Sequence, residues 1–291
     1  MAGATTRCSR SAAAVLLAAL LANALAARAG SLPADSDESR GDRSWRQRAT
    51  GFEAGRIDPE PVERAIHAWE EVLAESPESL ELRFRLMEAL YFKGHFLEAA
   101  MARKRRIFDR LVALAEETVE RTTGSGDPSE RARAHFWGAI SWGLWGMSHG
   151  YVRAGARGVA TKIRDHAMAV IELDPRHADA GGYRLLGRLH TATPKIPFFT
   201  GWIDRRKGIE LLRRACAIST DDPRNPLFLA EALLQYEPQS RDRALELLRQ
   251  VAARRPDPDR LVEHSETLDR ARQVLQQQVG DVAQLQAGDE P

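Results

Sequence analysis

Histidine is the side chain best suited to metal binding and proton transfer near neutral pH, and this sequence contains eight. They are scattered, so no two stand at metal-ligand spacing with a third nearby, and the motif His-Glu-x-x-His is absent. The serines and acidic residues form no recognisable nucleophile or acid–base set. We therefore predict that the protein is not an enzyme and has no catalytic residue, metal site or cofactor.

Two other features are only superficially similar to reactive groups. Gly150, Gly155 and Gly158 are glycines of the kind found in phosphate-binding loops, but no Gly-Lys-Ser/Thr follows them and no strand precedes them. We expect a flexible loop there, before a helix over residues 160–173. Cys216 has alanines on both sides, which is typical of a small buried side chain rather than a reactive thiol.

Aromatic side chains are the remaining candidates for ligand contact, and they concentrate in the stretches WGAISWGLWG and PKIPFFTGW. A tryptophan face in a helical array is usually core, and we interpret Trp142 and Trp145 first in that way. The alternative is that the rings of both stretches enclose a ligand, with Lys195 or Arg205 meeting an anion. The candidate binding residues are Trp142, Trp145, Tyr183, Lys195, Phe198, Phe199, Trp202 and Arg205.

The first thirty residues differ in kind from the rest. Arg7 and Arg10 precede an apolar run over residues 12–25, and small residues follow it. This pattern predicts a secretory signal peptide at residues 1–29, because about fourteen apolar residues are too few to span roughly 30 Å of hydrocarbon. We expect export to the periplasm or secretion, with no stable membrane insertion after cleavage. Residues 30–44 are polar and without an apolar period, which predicts a disordered linker.

Charge narrows the range of partners. Removal of the signal peptide lowers the basic residues from 42 to 39 against 41 acidic residues, so the formal charge changes from +1 to −2. A nearly neutral chain offers no global field that would attract nucleic acid or an anionic membrane. We therefore expect no nucleic-acid partner.

The rest of the chain repeats the spacing of helix hairpins, in which small and large residues alternate on facing helices and a proline ends the second helix. Three sets show the pattern: Ala65, Trp69, Val72 and Pro77; Tyr183, Leu186, Gly187 and His190; Ala244, Leu248, Val251 and Pro256. From about Ala65 to Pro256 the chain resembles tetratricopeptide (TPR) repeat proteins. The resemblance implies an all-α fold, a TPR-like right-handed α-solenoid of antiparallel helix hairpins.

We assign the helical repeat domain to residues 45–258. Leucines at heptad spacing predict one more helix at residues 259–279, which would cap the last hairpin, because a repeat array otherwise leaves a core face in water. Residues 280–291 are expected to be disordered.

Two adjacent hairpins carry enlarged connections. The contact positions of the two helices are 12 residues apart in the regular hairpins, but Gly187 and Gly208 are 21 apart and Gly143 and Ile163 are 20 apart. Insertions at the same turn of a solenoid emerge from the same edge, so we predict that these two segments meet. The apolar second segment is expected to cover the helices as a lid or to form a contact surface.

An export signal, degenerate repeats and a glycine-rich tryptophan helix together also resemble the periplasmic T component of TRAP transporters (TatT-like). That family is a trimeric helical scaffold that associates with a substrate-binding protein. The resemblance therefore implies a homo-oligomer with a periplasmic solute-binding protein as partner. No cysteine follows the apolar run of the signal peptide, so a lipid anchor is not expected.

Two functions remain open at this point. The first is an extracytoplasmic TPR scaffold for protein–protein interaction, which binds another protein or an extended peptide along the concave face lined by the first helices. The second is a TRAP-transporter-associated periplasmic accessory component, which binds a small or apolar ligand between the tryptophan helix and the PKIPFFTGW insertion.

Overall fold

The computed structural model describes residues 37–52 and 56–288 of the 291-residue chain, with side chains as far as residue 278. The predicted signal peptide and residues 30–36 of the predicted linker lie outside these residues. The described part of the chain contains twelve α-helices and no β-strand. None of these helices combines the length and the apolar character needed to cross a bilayer.

The helix bounds agree with the hairpin pattern of the sequence. The helices are α1 (Asp37–Arg46), α2 (Glu60–Glu75), α3 (Leu80–Phe92), α4 (Met101–Thr122), α5 (Pro128–His149), α6 (Tyr151–Ala156), α7 (Val159–Leu173), α8 (His177–Ala192), α9 (Arg205–Ile218), α10 (Arg224–Tyr236), α11 (Arg241–Ala252) and α12 (Leu261–Gly288). A π-helical turn at Lys93–Leu97 ends α3, and 3₁₀ turns at Pro238–Ser240 and Pro258–Arg260 precede α11 and α12.

Local side-chain chemistry sets two helix starts that matter for the site. Before α5, the carboxylate of Asp127 accepts a hydrogen bond from the backbone N–H of Ser129 at 2.8 Å. Before α9, the carboxylate of Asp204 accepts one from the backbone N–H of Lys207 at 3.1 Å. Each bond satisfies an N–H group that lacks a partner within its helix, so these helices begin at defined residues.

The helices pack as successive hairpins: α1 with α2, α3 with α4, α5 with α7, α8 with α9, and α10 with α11. Contacts also join α3 to α5, α5 to α8, α8 to α10 and α10 to α12, so the first helices of the hairpins form a continuous inner layer. The second helices form the outer layer. This arrangement confirms the predicted all-α, TPR-like solenoid.

The helices α8 and α9 cross in backbone contact at two glycines. A Cβ at Gly187 would lie 2.8 Å from Leu212 Cγ and 3.0 Å from the carbonyl oxygen of Gly208. A Cβ at Gly208 would lie 3.0 Å from the carbonyl oxygen of Gly187. The two backbones therefore touch where a larger residue would separate them, which confirms these glycines as the contact positions of the hairpin.

The helix α1 lies partly inside the segment that the sequence predicts to be a disordered linker. Its Gly41 packs directly on the indole of Trp69, where a Cβ would overlap the ring. Asp42 accepts a hydrogen bond from Trp69 Nε1 at 3.2 Å and pairs with Arg85 at 2.8 Å. The prediction of disorder is therefore wrong for the residues from Asp37 onward, because tertiary contacts stabilise a helix that has no apolar period of its own.

The last helix is longer than predicted. It runs from Leu261 to Gly288, so it continues into residues that we expected to be disordered. Five of the nine residues at positions 280–288 are glutamine, alanine or leucine, and their helix propensity is high. The predicted cap is present, since α12 packs on α11 and α10.

Replacing Gly208 with alanine is expected to lower the free energy of unfolding by about 1–3 kcal/mol, because the added methyl group must push backbone apart rather than displace a flexible side chain. Gly126→Ala is the matched control, since a Cβ there meets no atom within 4 Å. Urea unfolding followed by circular dichroism measures both variants. Equal stability of the two would contradict the α8–α9 crossing.

Candidate functional site

The two enlarged connections meet on one edge of the array, as the hairpin spacing predicts. The first insertion (residues 150–158) contains α6 and joins α5 to α7, and the second insertion (residues 193–204) joins α8 to α9. The ring of Phe199 in the second insertion lies over Gly155 in the first, where a Cβ would be 3.6 Å from Phe199 Cδ1. The contact brings together the connections of two adjacent hairpins, at residues 44 positions apart in sequence.

The two insertions enclose an apolar cavity of about 360 Å³, here called the insertion cavity. Its walls are the end of α5, α6, the start of α7, the end of α8 and the second insertion. The lining residues are Gly146, Met147, Gly150, Tyr151, Val152, Ala154, Gly155, Gly158, Val159, Ala160, Thr161, Ile163, Leu189, Thr193, Pro194, Ile196, Phe199 and Thr200. None of them is charged, and the volume is within the range of small-molecule sites.

The hydroxyl of Thr200 supports the cavity wall instead of facing a ligand. It donates a hydrogen bond to the carbonyl oxygen of Pro194 at 2.6 Å and accepts one from the backbone N–H of Ile196 at 2.8 Å. These bonds close the second insertion on itself. The hydroxyl and two backbone groups of the loop are thereby satisfied, and the apolar side chains are left to face the cavity.

Large apolar side chains are exposed around the cavity. In the described part of the chain, five of the seven exposed large hydrophobic residues belong to the two insertions. These five are Tyr151, Val152, Ile196, Phe198 and Phe199. Such a concentration around a cavity makes this surface the candidate for binding, whereas single exposed apolar residues elsewhere need no explanation.

The structure places Trp142 and Trp145 of α5 in the hydrophobic core, packed against α4. Both rings are buried, with their centroids 5.7 Å apart in an edge-to-face arrangement. Trp145 Nε1 donates to Asp109 at 2.7 Å, and Trp142 Nε1 donates to Glu116. Neither ring is among the residues that line the insertion cavity. The indoles thus hold α4 and α5 together, behind the cavity wall.

Trp202 and Arg205 lie at the base of the second insertion. The half-buried ring of Trp202 packs edge-to-face on His190, with centroids 5.5 Å apart. Arg205 donates to the carbonyl oxygen of His190 and lies 5.2 Å from the ring centroid of Tyr236. These contacts anchor the insertion to α8 and α10 and direct both side chains away from the cavity lining.

His190 is a packing residue. Its Nδ1 accepts a hydrogen bond from the backbone N–H of Asp204 at 3.0 Å, which requires a neutral ring. Burial lowers its pKa to about 4, which keeps it neutral at physiological pH.

The four remaining predicted residues have different positions. Phe199 lines the cavity, whereas Phe198 and Lys195 are exposed on the outside of the same insertion. Tyr183 is half-buried on α8 and does not belong to the cavity lining. The structure therefore brings the second insertion together with α6 and the α5–α7 junction, and not with the tryptophan face.

Two histidines form a contact that their sequence spacing does not reveal. The Nδ1 atoms of His135 and His166 are 3.0 Å apart, and His166 Nε2 lies 3.2 Å from Glu116 Oε1. Burial, together with the neighbouring His166, lowers the pKa of His135 to about 4, and the hydrogen bond from His166 lowers the pKa of Glu116 to about 2. No group of three or more metal-binding side chains occurs among the described residues. The bond with His166 holds the Glu116 carboxylate where it accepts the hydrogen bond from Trp142 Nε1.

The inner face of the solenoid is partly covered by α12. His95 Nε2, after α3, lies 3.0 Å from Glu266 Oε1, and Arg48, after α1, lies 3.8 Å from Glu263 Oε1. Val262 belongs to the same apolar core as the first hairpins. The first turns of α12 therefore contact the first two hairpins. The sequence predicted this helix only as a cap on the last hairpin.

Buried charges fill the adjoining part of the inner face. Arg184 and Asp222 are fully buried and 3.3 Å apart, and Asp222 also binds Arg224. Burial alone would raise the pKa of Asp222, but the two guanidinium groups hold it well below its usual range. Arg184 also donates to the carbonyl oxygens of Ala178 and Asp179, which lie in a left-handed turn at the start of α8.

No protein-family model matches the chain, and no curated protein matches it in sequence. Among solved structures, a thermophilic TPR protein from Thermus thermophilus is 17% identical with a TM-score of 0.49, over 78% of this chain and 98% of that one. Yeast Tom70 is 12% identical with a TM-score of 0.29, over 96% of this chain and 73% of that one. The fold assignment rests on the helix packing described above.

The substitution Glu88→Gln is expected to change stability in a pH-dependent way. Burial raises the pKa of the partly buried Glu88 to about 7 from its ordinary 4.5, against the opposing effect of Arg48. The folded state thus holds a proton on Glu88 that the unfolded chain releases above pH 4.5. The contribution of Glu88 to the free energy of unfolding is therefore fully present below pH 4.5 and is lost as the pH rises through 7. At pH 8 the glutamine should raise the free energy of unfolding by about 1–3 kcal/mol, with little change at pH 4.

Urea unfolding at both pH values measures this difference. Glu120→Gln is the control, because Glu120 is exposed on α4 and should show no such pH dependence. The neighbouring Glu263, whose charge helps to raise the pKa of Glu88, is present in all the proteins compared. An equal effect of Glu88→Gln at both pH values would contradict the raised pKa.

Proposed function

We propose that this protein is a non-catalytic binding protein that holds an apolar ligand in the insertion cavity. The observation that carries the proposal is an open, uncharged cavity of about 360 Å³ whose wall is built in part by two insertions that the hairpins themselves do not require. A TPR-like hairpin needs only a short turn, so the added residues serve something other than the fold.

The chemistry of the lining sets the ligand class. The walls are alkyl groups, glycine backbone and the rings of Tyr151 and Phe199, with only a few hydroxyl groups. A charged ligand buried here would lose its hydration without gaining a counter-charge from the lining. An alkyl or aryl group gains from the removal of apolar surface from water, so a hydrocarbon chain or a small apolar compound is the best fit.

A peptide along the concave face has less support. The first turns of α12 occupy that face at the first two hairpins, through Glu263 and Glu266. Paired and buried charges fill the neighbouring part, around Arg184 and Asp222. A peptide would have to displace these groups, whereas the insertion cavity needs no such rearrangement.

The setting of the protein is part of the proposal. The apolar run and small residues of positions 1–29 support export, with the periplasm or the exterior as the location. In that compartment, an accessory role beside a transporter of the TRAP type, with a solute-binding protein as partner, agrees with a site for an apolar ligand.

The substitution Ala154→Phe is expected to weaken binding of the uncharged fluorescent probe N-phenyl-1-naphthylamine by more than about tenfold. Ala154 lines the cavity, and the added ring fills the space that the probe would occupy. Fluorescence titration of the purified protein measures the dissociation constant. Ala102→Phe places the same ring on the exposed surface of α4 and should leave binding unchanged.

Equal affinities of wild type and the Ala154→Phe variant would overturn the proposal, provided that circular dichroism shows both to be folded. Loss of binding in both Ala154→Phe and Ala102→Phe would also count against the proposal, because a ring on the exposed surface of α4 would then have the same effect as a ring in the cavity.

A further inference from the structure

The outer side of the two insertions combines apolar and basic side chains on one surface, here called the insertion edge. Its residues are Tyr151, Val152, Arg153, Arg157, Lys195, Ile196, Phe198 and Phe199. All of them are exposed. Four also line the cavity, but Phe198 and the three basic residues do not. The edge therefore shares four residues with the rim of the cavity, whereas Phe198 and the three basic residues belong to the edge alone.

Phe198 shows that folding alone does not explain this surface. Its side chain is 104% exposed, so it contributes no burial to the protein itself. Its backbone has φ of +67°, a left-handed conformation that is unfavourable for a bulky residue and that glycine or asparagine adopts more readily. A fully exposed ring on a strained backbone indicates a contact with something outside the chain.

The charged side chains of the insertion edge are all basic. Arg153, Arg157 and Lys195 form no ion pair within the described part of the chain, although most arginines elsewhere in it are paired. The guanidinium of Arg157 lies 5.4 Å from the ring centroid of Trp145, so Arg153 and Lys195 are the cations without such a contact. No acidic residue occurs from position 150 to 164. Asp204 is the only acidic residue from 193 to 207, and Lys195 contributes to lowering its pKa. The insertion edge is therefore locally basic on a chain that is nearly neutral overall.

We infer that the insertion edge docks on the surface of an anionic lipid bilayer, with Phe198, Phe199 and Ile196 in the interfacial region and the three cations among the headgroups. Exposed aromatic and aliphatic side chains beside lysine and arginine match the apolar-to-anionic gradient of a bilayer surface. The docking is peripheral, since no described helix spans a membrane.

A protein partner fits this surface less well. The centres of protein interfaces are depleted in charged residues and bury their anchors in pockets, whereas Phe198 is fully exposed three positions after Lys195. The headgroup region accepts protruding rings without a preformed pocket, and its phosphates supply the missing counter-charges. The inference does not depend on the proposed cavity ligand, because Phe198 and the cations are not part of the cavity lining.

The test is flotation of the purified protein with vesicles of phosphatidylcholine alone and of equal parts phosphatidylcholine and phosphatidylglycerol. We expect binding to the anionic vesicles only, weakening as salt screens the charges. Phe198→Asn should reduce it more than about tenfold, since asparagine keeps the left-handed backbone and removes the ring. Lys195→Ser should reduce it about fivefold.

The controls are matched to these changes. Met168→Gln removes an exposed apolar side chain from α7, and Arg249→Ser removes an exposed cation from α11. Both should bind vesicles as wild type does. All proteins compared share the same N-terminus, so any contribution of residues 1–36 cancels. Phe198→Asn should still bind N-phenyl-1-naphthylamine, which separates this inference from the cavity proposal.

Absence of binding to anionic vesicles would overturn the inference, and so would binding that is unaffected by Phe198→Asn and Lys195→Ser. Equal loss in the Met168→Gln and Arg249→Ser controls would overturn it too, because association would then be unspecific.

Discussion

The pairing of buried charges on the inner face of the solenoid is the constraint on which much of the structure depends. A charged group taken out of water is tolerated only with a partner, and the partners here come from different hairpins. Arg184 on α8 meets Asp222 before α10, and Arg188 on α8 meets Glu231 on α10 at 2.8 Å. Arg270 on α12 reaches the same Glu231 at 2.8 Å. These pairs fix how successive hairpins are placed, and they leave the inner face already occupied.

Because the inner face is occupied, the cavity and most of the exposed large apolar side chains of the described residues lie on one edge of the solenoid, at the two insertions. The glycine crossing of α8 and α9 brings these helices into backbone contact, while the connection between them is displaced outward as the second insertion. The same displacement occurs between α5 and α7, and Phe199 closes the gap over Gly155. An apolar cavity and an exposed apolar rim result from two loops that fill neither the core nor the inner face. This is why the proposed binding functions concentrate there.

Much of the fold could be predicted from residue spacing, because a hairpin is stabilised by contacts between residues close in sequence. The positions of Gly187 and Gly208 predicted their contact, and the two enlarged spacings predicted that the insertions meet. The candidate site was harder to predict. An aromatic ring on a helix has the same pattern whether it packs on a neighbouring helix, as Trp145 does, or lines a cavity. Net charge was also a poor guide, since a nearly neutral chain has a locally basic edge around Lys195.

The sequence by itself determined the helical class, the hairpin order and the two insertions, because helix periodicity and turn length are local properties. Only the tertiary structure decided that α1 is helical from Asp37, that α12 crosses to the first hairpins, and that Trp142 lies behind the cavity wall. Each of these depends on contacts between residues far apart in sequence, such as Trp69 with Gly41. In the pair His95 and Glu266 the two residues are 171 positions apart. No local sequence pattern predicts such pairs, since these contacts form and stabilise the protein only when the hairpins are stacked.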